Sequence, residues 1–370
     1  MEYIVSARKY RPGTFSSVEG QDNITATLKN AIKNKQLAHA YLFCGPRGVG
    51  KTTCARIFAK TINCQNISAD FEACNECPSC KSFNENRSFN IHELDAASNN
   101  SVDDIRLLID KVRIPPQMGK YSVYIIDEVH MLSPAAFNAF LKTLEEPPHH
   151  AIFILATTEK HKILPTILSR CQTFDFNRIT VEVAVDYLKF VAGKEGITFE
   201  EEALNVIATK ADGAMRDALS IFDQIVAFSG KNITYQQVID NLNVLDYDYY
   251  FRLTEAFLKE DTTAALLIFN EILNHGFDGS HFLNGLSSHL RDLMMCRDAQ
   301  TVNLLEVGAS IRQRYMEQAK LCDHEFLYEA LKIATSCDLN YRVARNKRLH
   351  VEFAIISLSR IFTEKKKLLS

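Results

Sequence analysis

The chain has 370 residues, of which 46% are hydrophobic and 24% are charged, as in folded proteins with sizeable cores. This length favours two or three domains over a single one. The formal net charge of −3 excludes a strong overall basic field, so any contact with DNA must come from local patches or backbone amides.

The chain opens with MEYIVSARKYRPG, which has neither a long apolar stretch nor a small-residue cleavage site. No later segment approaches the roughly 18 apolar residues that a membrane helix needs. We therefore expect no secretory signal, no membrane span and a cytoplasmic location. Ten cysteines are not expected to pair as disulfides in that compartment.

The first half of the chain alternates short β-like runs with helical patterns. Strands are predicted over 40–44, 89–95, 122–127, 151–157 and 171–176. Helices are predicted near 51–62, from a capping box at Ser101 and Asp104, and from Ser133 and Pro134 to the prolines at 147 and 148. Strands separated by helices predict a mostly parallel sheet with helices on both faces.

After about residue 178 the strand pattern stops, and helical patterns continue to about residue 362. We predict an α/β domain over 1–178, a three-helix domain over 179–244 and an all-helical domain over 245–370. Glycines follow the predicted helices of the middle domain, as is common at helix ends.

The glycine-rich segment GPRGVGKT follows the first predicted strand and opens a helix. It fits the pattern G-x-x-x-x-G-K-[ST], in which backbone N–H groups and a helix N-terminus bind phosphates. Lys51 is predicted to neutralise phosphate charge, and Thr52 to hold Mg²⁺. A plain glycine-rich turn is the alternative. The predicted nucleotide-binding residues of the loop are Gly45, Pro46, Arg47, Gly48, Val49, Gly50, Lys51, Thr52 and Thr53.

The run VYIIDEVH supplies the acidic partner that such a loop needs. Asp127 is predicted to orient Mg²⁺ or its water, and Glu128 to polarise the attacking water. Thr157 or Thr158, at the end of the fourth strand, could bond the γ-phosphate or that water. The plainer alternatives are a solvated strand end for the acids and the ordinary occurrence of threonine at strand ends.

Arg170 in LSRC comes too late in the sheet to reach its own nucleotide easily. We predict that it reaches the γ-phosphate of a neighbouring subunit, as arginine fingers do. An arginine that bonds local carbonyl groups is the alternative.

Four cysteines have the spacing C-x9-C-x2-C-x2-C, namely Cys64, Cys74, Cys77 and Cys80. Structural zinc sites use four tetrahedral ligands, and four cysteines are a standard set. Pro78 suits the first turn of a short helix that presents Cys77 and Cys80. We predict a structural zinc module over about 64–85. An iron–sulfur cluster, a redox pair and plain buried thiols remain alternatives.

The segments GPRGVGKTT, DEVHMLS, LATTE, LSRC and GAMRDALS, in this order, resemble the AAA+ ATPases of clamp loaders. The opening ARKYRPGTFSSVEGQ and the cysteine cluster narrow the resemblance to the gamma/tau subunits of the bacterial DNA polymerase III holoenzyme. The resemblance covers essentially the whole chain. It implies an AAA+ P-loop domain with an inserted zinc module, a helical lid and a helical collar that assembles a ring of five subunits.

The resemblance also implies cofactors and further site residues. The cofactors are ATP, Mg²⁺ and Zn²⁺. By position, Arg216 would sense the γ-phosphate in cis, and Arg11 and Pro12 would lie against the adenine side of the site. Arg106 and Lys142 are candidates for touching the DNA backbone. The SNNS stretch at 98–101 carries asparagine where relatives often have a basic residue.

The function implied by the resemblance is a motor subunit that uses ATP to load a ring-shaped sliding clamp onto primed DNA. Its expected partners are delta-type and delta-prime-type loader subunits, the clamp and primed template DNA. The polymerase core and the helicase would be reached only through a C-terminal extension that this chain lacks. Alternatives are a branch-migration motor, an initiator or a non-hydrolysing scaffold subunit.

A subunit of a polymerase holoenzyme is expected to be labelled a DNA-directed DNA polymerase, although no polymerase site is expected in this chain. The sequence supplies no paired carboxylates poised over a primer end, which nucleotidyl transfer needs. The chemistry that the sequence predicts is therefore ATP hydrolysis.

Overall fold

A computed structural model describes residues 4–85, 87–116, 119–305 and 307–363. The chain divides into two compact units. The first comprises residues 1–195 and 207–224, and the second comprises residues 196–206 and 225–370. The predicted division into three domains stays a prediction.

Five parallel strands form the centre of the first unit. They are β1 (Ala40–Cys44), β2 (Ile91–Asp95), β3 (Ser122–Asp127), β4 (Ala151–Thr157) and β5 (Gln172–Asp175). Their order across the sheet is β2-β3-β4-β1-β5, with every neighbouring pair parallel. All five predicted strands are therefore present, two of them shorter by one or two residues at their ends.

Helices surround this sheet. Those of the first unit are α1 (Ser6–Lys9), α2 (Asp22–Lys33), α3 (Lys51–Ile62), α4 (Pro78–Asn84), α5 (Val102–Val112), α6 (Pro134–Glu145), α7 (Pro165–Leu168) and α8 (Val181–Glu195). Two further helices, α9 (Glu201–Lys210) and α10 (Met215–Ser229), contribute residues to both units. Pro78 and Pro134 occupy the first turns of their helices, and Ser101 and Asp104 form the predicted capping box.

Alternate side chains of the strands enter different cores on the two faces of the sheet. Tyr41 and Phe43 pack in a core with residues of α2 and α3. Leu42 and Cys44, their neighbours on β1, pack in a core with residues of α5 and α6. A sheet covered on both faces needs strands that are apolar on both faces. This explains why the three central strands, β3, β4 and β1, are continuous apolar runs, whereas the edge strands β2 and β5 are mixed. The sheet confirms the predicted α/β architecture.

The second unit is mainly helical. Its elements are β6 (Thr198–Phe199), β7 (Asn232–Ile233), α11 (Tyr235–Leu242), α12 (Tyr247–Leu258), α13 (Thr262–Asn274), α14 (Gly279–Met295), α15 (Ala309–Leu321), α16 (His324–Tyr341) and α17 (Lys347–Ser359). Phe257, Leu286 and Phe326 are among its buried core residues.

The expectation that strands end near residue 178 is wrong in one detail, because β6 and β7 form a short parallel pair. Strands of two residues are too short to show an alternating pattern. Among the described residues, no helix has both the length and the apolar character required to span a membrane.

Candidate active site and metal centre

The glycine-rich loop joins β1 to α3 at the carboxyl edge of the sheet, where open parallel sheets bind their ligands. Gly45 has a φ of +148°, and a Cβ there would lie 2.5 Å from the carbonyl oxygen of Phe176. Gly48 has a φ of +78°, a left-handed conformation that glycine adopts without steric cost. The path of the loop therefore depends on glycine at both positions.

Lys51 begins α3 and is only 6% exposed. Its Nζ donates to the carbonyl oxygens of Gly45 at 2.8 Å and Pro46 at 2.7 Å. Burial lowers the pKa of Lys51, while the carboxylates of Glu128 and Asp127 act to raise it. The ammonium group is thus held inside the loop, where a bound phosphate would meet it.

The two predicted magnesium ligands lie together. Thr52 Oγ1 donates to Asp127 Oδ2 at 2.6 Å, although these residues come from α3 and from the end of β3. Mg²⁺ prefers hydroxyl, carboxylate, water and phosphate oxygens. The pair therefore fits the metal predicted for it.

Glu128 is the residue after β3 and has a φ of +48°. This conformation is uncommon for a residue with a side chain and often marks a functional position. Its Oε2 accepts hydrogen bonds from Thr158 N at 3.2 Å and Thr158 Oγ1 at 2.9 Å. The structure thus places Thr158, at the end of β4, against the predicted catalytic acid.

His130 is a site residue that the sequence analysis missed, and its side chain is only 7% exposed. Its Nδ1 lies 3.0 Å from Thr157 Oγ1 and 3.4 Å from Glu128 Oε2. Its Nε2 lies 3.1 Å from Glu159 Oε2. The only signal in the sequence was its position two residues after the predicted catalytic acid. Thr157 is fully buried and bonds this imidazole, which distinguishes it from Thr158.

Two predicted arginines lie beside the loop and α3. Arg216 is near the start of α10, and its backbone N donates to the carbonyl oxygen of Gly48 at 3.4 Å. Arg11 Nε donates to Thr53 Oγ1 at 3.2 Å. Burial lowers the pKa of Arg11, and the nearby guanidinium groups of Arg56 and Arg216 lower it further. Such a concentration of positive charge suits a polyanionic ligand.

A cavity of about 460 Å³ lies next to Arg11 and Pro12. Tyr187 and Phe190 of α8 line its other side, and the Tyr187 hydroxyl donates to the carbonyl oxygen of Tyr10 at 2.6 Å. Aromatic side chains combine a flat apolar face with a polar edge, which suits contact with a planar base. The predicted adenine-side residues therefore border a space of suitable chemistry.

Arg170 is bonded within its own chain. Its guanidinium donates to the carbonyl oxygen of Thr166 at 2.7 Å and to Glu145 Oε1 at 2.6 Å. These partners belong to α7 and α6. In the single chain Arg170 therefore bonds local groups, as the alternative interpretation expected. Its action on a neighbouring subunit stays a prediction.

The four predicted zinc ligands converge. The Sγ atoms of Cys64, Cys74, Cys77 and Cys80 all lie within 4.8 Å of one another, and those of Cys64 and Cys74 are 3.5 Å apart. A tetrahedral zinc ion with Zn–S bonds of about 2.3 Å sets its sulfur ligands about 3.8 Å apart. The donor set therefore fits zinc. All ten cysteines of the chain are free of disulfides.

Backbone N–H groups point at these sulfur atoms. Cys74 N donates to Cys64 Sγ and Cys77 N donates to Cys74 Sγ, each at 3.3 Å. Burial acts to raise the pKa of Cys77, but hydrogen bonds from the backbones of Gln65 and Cys80 and from the side chains of Cys80 and Cys74 together lower it to about 6. The thiolate is the form of cysteine that binds metals. Backbone bonds favour it at Cys74 and Cys77, whereas burial raises the pKa of Cys64 and Cys80.

Three family models match successive parts of the chain. The model for the delta subunit of DNA polymerase III matches residues 20–180. The model for the ATPase lid domain of a DNA polymerase III clamp loader subunit matches residues 184–231. The model for domain III of the DNA polymerase III subunits gamma and tau matches residues 233–369. These matches and the observed sheet confirm the predicted fold class, a P-loop domain followed by a lid and a helical domain.

The chain is also similar to curated proteins over most of its length. It is 41% identical to DNA polymerase III subunit tau of Bacillus subtilis (strain 168), a match that covers 97% of this chain and 63% of that protein. It is 36% identical to DNA polymerase III subunit gamma of Buchnera aphidicola subsp. Acyrthosiphon pisum (strain APS), over 96% of this chain and 95% of that protein. The chain thus spans less than two thirds of the length of the tau relative and nearly all of the gamma relative.

Among solved structures, the RuvB Holliday junction branch migration motor of Thermotoga maritima is 20% identical to the chain. The match covers 67% of this chain and 79% of that chain, with a TM-score of 0.48.

Proposed function

Because this chain belongs to the gamma/tau family of DNA polymerase III subunits, we propose that it is an ATPase motor subunit of a clamp loader. ATP binding and hydrolysis would load a ring-shaped sliding clamp onto primed DNA. The observation that carries the proposal is the meeting of Lys51, the Thr52–Asp127 pair and Glu128 at one edge of the sheet.

Nucleotide binding would begin at the phosphate loop. Lys51 already lies inside the loop, and it can exchange the carbonyl oxygens of Gly45 and Pro46 for phosphate oxygens. Thr52 and Asp127 would hold Mg²⁺, which neutralises charge on the β- and γ-phosphates when bound. Arg216 would add a cis contact with the γ-phosphate, since its backbone already bonds the loop.

Hydrolysis would depend on the orientation of Glu128. Thr158 donates two hydrogen bonds to one carboxylate oxygen of Glu128, which leaves the other oxygen to accept a proton from the attacking water. A general base must have its accepting atom aimed at that water. Thr158 would therefore position the acid as well as sense the phosphate.

Arg170 would complete the site of a neighbouring subunit. It would have to leave the carbonyl oxygen of Thr166 and the carboxylate of Glu145 to meet a γ-phosphate. Such an arginine stabilises the charge of the transition state. Hydrolysis in this proposal is fast only in the assembled ring.

The cysteine cluster would hold a structural zinc ion. Cys64, Cys74, Cys77 and Cys80 would supply all four ligands, which leaves no open position for catalysis. The buried residues of this cluster are few, Ala73, Cys77 and Cys80. Metal binding would thus supply the folding free energy that a small apolar core cannot.

The partners would be delta-type and delta-prime-type subunits, the sliding clamp and primed DNA in the cytoplasm. With a net charge of −3 the chain is poorly suited to bind DNA alone, because affinity depends on the neutralisation of phosphates. Arg106 and Lys142 are exposed candidates, and Arg106 is paired with Asp103 at 3.1 Å. The polymerase core, which would carry out nucleotidyl transfer, and the helicase would bind through a C-terminal extension.

The intact Lys51 and Glu128 favour a hydrolysing subunit over a non-hydrolysing scaffold. No observation on the described residues favours a branch-migration motor or an initiator, so neither is proposed.

The test is the ATPase turnover of the purified chain, alone and with its partner subunits, the clamp and primed DNA. We expect low turnover of the chain alone and a sharp rise only when all components are present. High turnover that does not depend on the clamp or the primed DNA would contradict the clamp-loading proposal. It would still support ATP hydrolysis by this chain.

A further inference from the structure

The cysteine module, residues 64–85, bonds the N-terminal arm, residues 10–17, through one carboxylate. Glu72 Oε2 accepts from Phe15 N at 2.9 Å, and Glu72 Oε1 accepts from Ser16 N at 3.0 Å. Lys29 Nζ lies 2.7 Å from Glu72 Oε1, and the Glu72 side chain is only 13% exposed. Hydrogen bonds to an ionised acceptor are stronger than neutral ones, so this carboxylate is a firm attachment.

A buried lysine makes a second attachment. Lys60, on α3, is 5% exposed. Its Nζ donates to Gly13 O at 2.9 Å in the arm and to Asn75 Oδ1 at 2.7 Å in the module. Burial lowers the pKa of Lys60. The ammonium group therefore joins three segments, α3, the arm and the module, at one point.

The arm has further contacts at Tyr10, Arg11 and the buried side chain of Phe15, but its backbone at residues 13, 15 and 16 bonds Glu72 and Lys60. Helix α1 ends at Lys9, and the next helical turn starts at Phe15. Between them lie Arg11 and Pro12, which border the cavity described above and were predicted to face adenine. Glu72 and Lys60 fix the chain at residues 13–16, immediately after these two residues. The position of the arm at the cavity is therefore tied to the fold of the module.

We propose that Glu72 and Lys60 are positioning residues that couple the cysteine module to the nucleotide site. When the module is folded, they hold the arm where Arg11 and Pro12 contact the base side of the nucleotide. When the module is loose, residues 13–16 lose these attachments and the nucleotide binds more weakly. Metal binding at the four cysteines thereby sets the affinity for ATP without a direct contact. This inference rests on the proposed binding of ATP at the phosphate loop.

The test compares Glu72→Ala with Asp70→Ala in the full chain. Asp70 is an exposed acid of the same module, so the control removes the same charge and leaves the arm attached. Three quantities are measured, namely hydrogen exchange of the amides at 13–17, affinity for a fluorescent ATP analogue, and metal content.

For Glu72→Ala we expect faster exchange at Phe15 and Ser16 and an affinity about five- to tenfold weaker, the effect of losing bonds to a charged acceptor. Turnover at saturating ATP should stay within about twofold, because only binding is altered. Metal content should match that of the wild type. Asp70→Ala should behave as the wild type. Lys60→Met should likewise weaken the affinity for the ATP analogue and preserve turnover at saturating ATP.

Equal affinity in the wild type and Glu72→Ala, with exchange at the arm increased, would overturn the coupling and leave the ATPase proposal standing. Loss of affinity and saturated turnover together would also overturn it, because that result indicates general damage to the fold. Failure of the wild-type chain to bind the analogue would instead contradict the proposed function itself.

Discussion

The two segments that flank α3 are organised differently. The phosphate loop precedes this helix, and its charged and polar groups already have partners within the protein, as Lys51 has in Gly45 and Pro46. The cysteine module follows the helix, and its four sulfur atoms lie within 4.8 Å of one another. The lysine of the loop is therefore paired within the protein, whereas we propose that the module holds a cation that balances its thiolates.

This difference corresponds to two uses of a ligand. A site that releases its ligand in every cycle needs substitute partners for its buried groups between turnovers, since unpaired buried groups are costly. A site that keeps its ligand has no such need. The contrast predicts that changes in the loop alter chemistry with little effect on folding, and that changes in the module alter folding first.

The largest loss of ATP affinity is expected for Lys51→Ala. The affinity for ATP should fall more than about a hundredfold, because the charge-assisted bonds to phosphate are lost. The melting temperature should change little, since the variant also removes the cost of burying a cation. Calorimetric titration and a thermal melt measure the two effects. A variant that fails to fold would contradict the view that the loop serves binding and not stability.

Arg170→Ala tests whether Arg170, which bonds Thr166 and Glu145 within its own chain, acts on the nucleotide of a neighbouring subunit. Turnover in the assembled ring should fall by about 10³-fold, the usual contribution of an arginine finger, while nucleotide binding is unchanged. Arg113→Ala is the matched control, because Arg113 is exposed and pairs only loosely with Asp110, at 3.8 Å. Normal stimulated turnover in the Arg170 variant would rule out the trans role.

Glu128→Gln should separate binding from chemistry within one chain. The amide can still accept a hydrogen bond from Thr158 but cannot take a proton from water. Single-turnover hydrolysis should slow by about 10²-fold or more, with nucleotide affinity preserved. Unchanged hydrolysis would remove Glu128 from the role of base.

Metal removal tests the cysteine module. Gently purified protein should contain zinc in proportion to the chain, and a chelator should release it and expose four reactive thiols. Hydrogen exchange over 64–85 should then rise sharply, while ATP affinity falls only about tenfold or less, since the loop itself remains formed. Well under one zinc per chain, with the four thiols already reactive, would rule out the metal site.

The smallest effect is expected for His130→Ala. The imidazole lies between Glu128 and Glu159, so its loss should loosen the catalytic acid and slow turnover by about three- to tenfold. Nucleotide affinity should not change. His130→Asn keeps a polar nitrogen near Thr157 and should recover part of the rate. Equal rates for both variants would assign His130 to packing alone.

The local parts of the site could be predicted from the sequence because each is encoded in one short segment. The apolar strands, the glycine-rich loop and the acids after β3 need no knowledge of distant residues. The capping box at Ser101 depends on spacing within a single turn. The four cysteines were found by the same kind of local spacing.

The features that the sequence did not predict depend on contacts between segments far apart in the chain. Glu72 meets Phe15 across 57 positions, and nothing in either segment indicates the other. The choice between Thr157 and Thr158 required knowledge of which side chain at the end of β4 faces the acid. The partner of Arg170 in the assembly belongs to another chain, so the single sequence contains only the arginine.

The most direct test of the central claim is the transfer of a labelled clamp onto primed circular DNA, with loaders that contain either the wild-type chain or its Lys51→Ala variant. We predict ATP-dependent loading with the wild type and none with the variant. Equal loading by both, or loading that does not require ATP, would contradict the proposal that this chain is the motor.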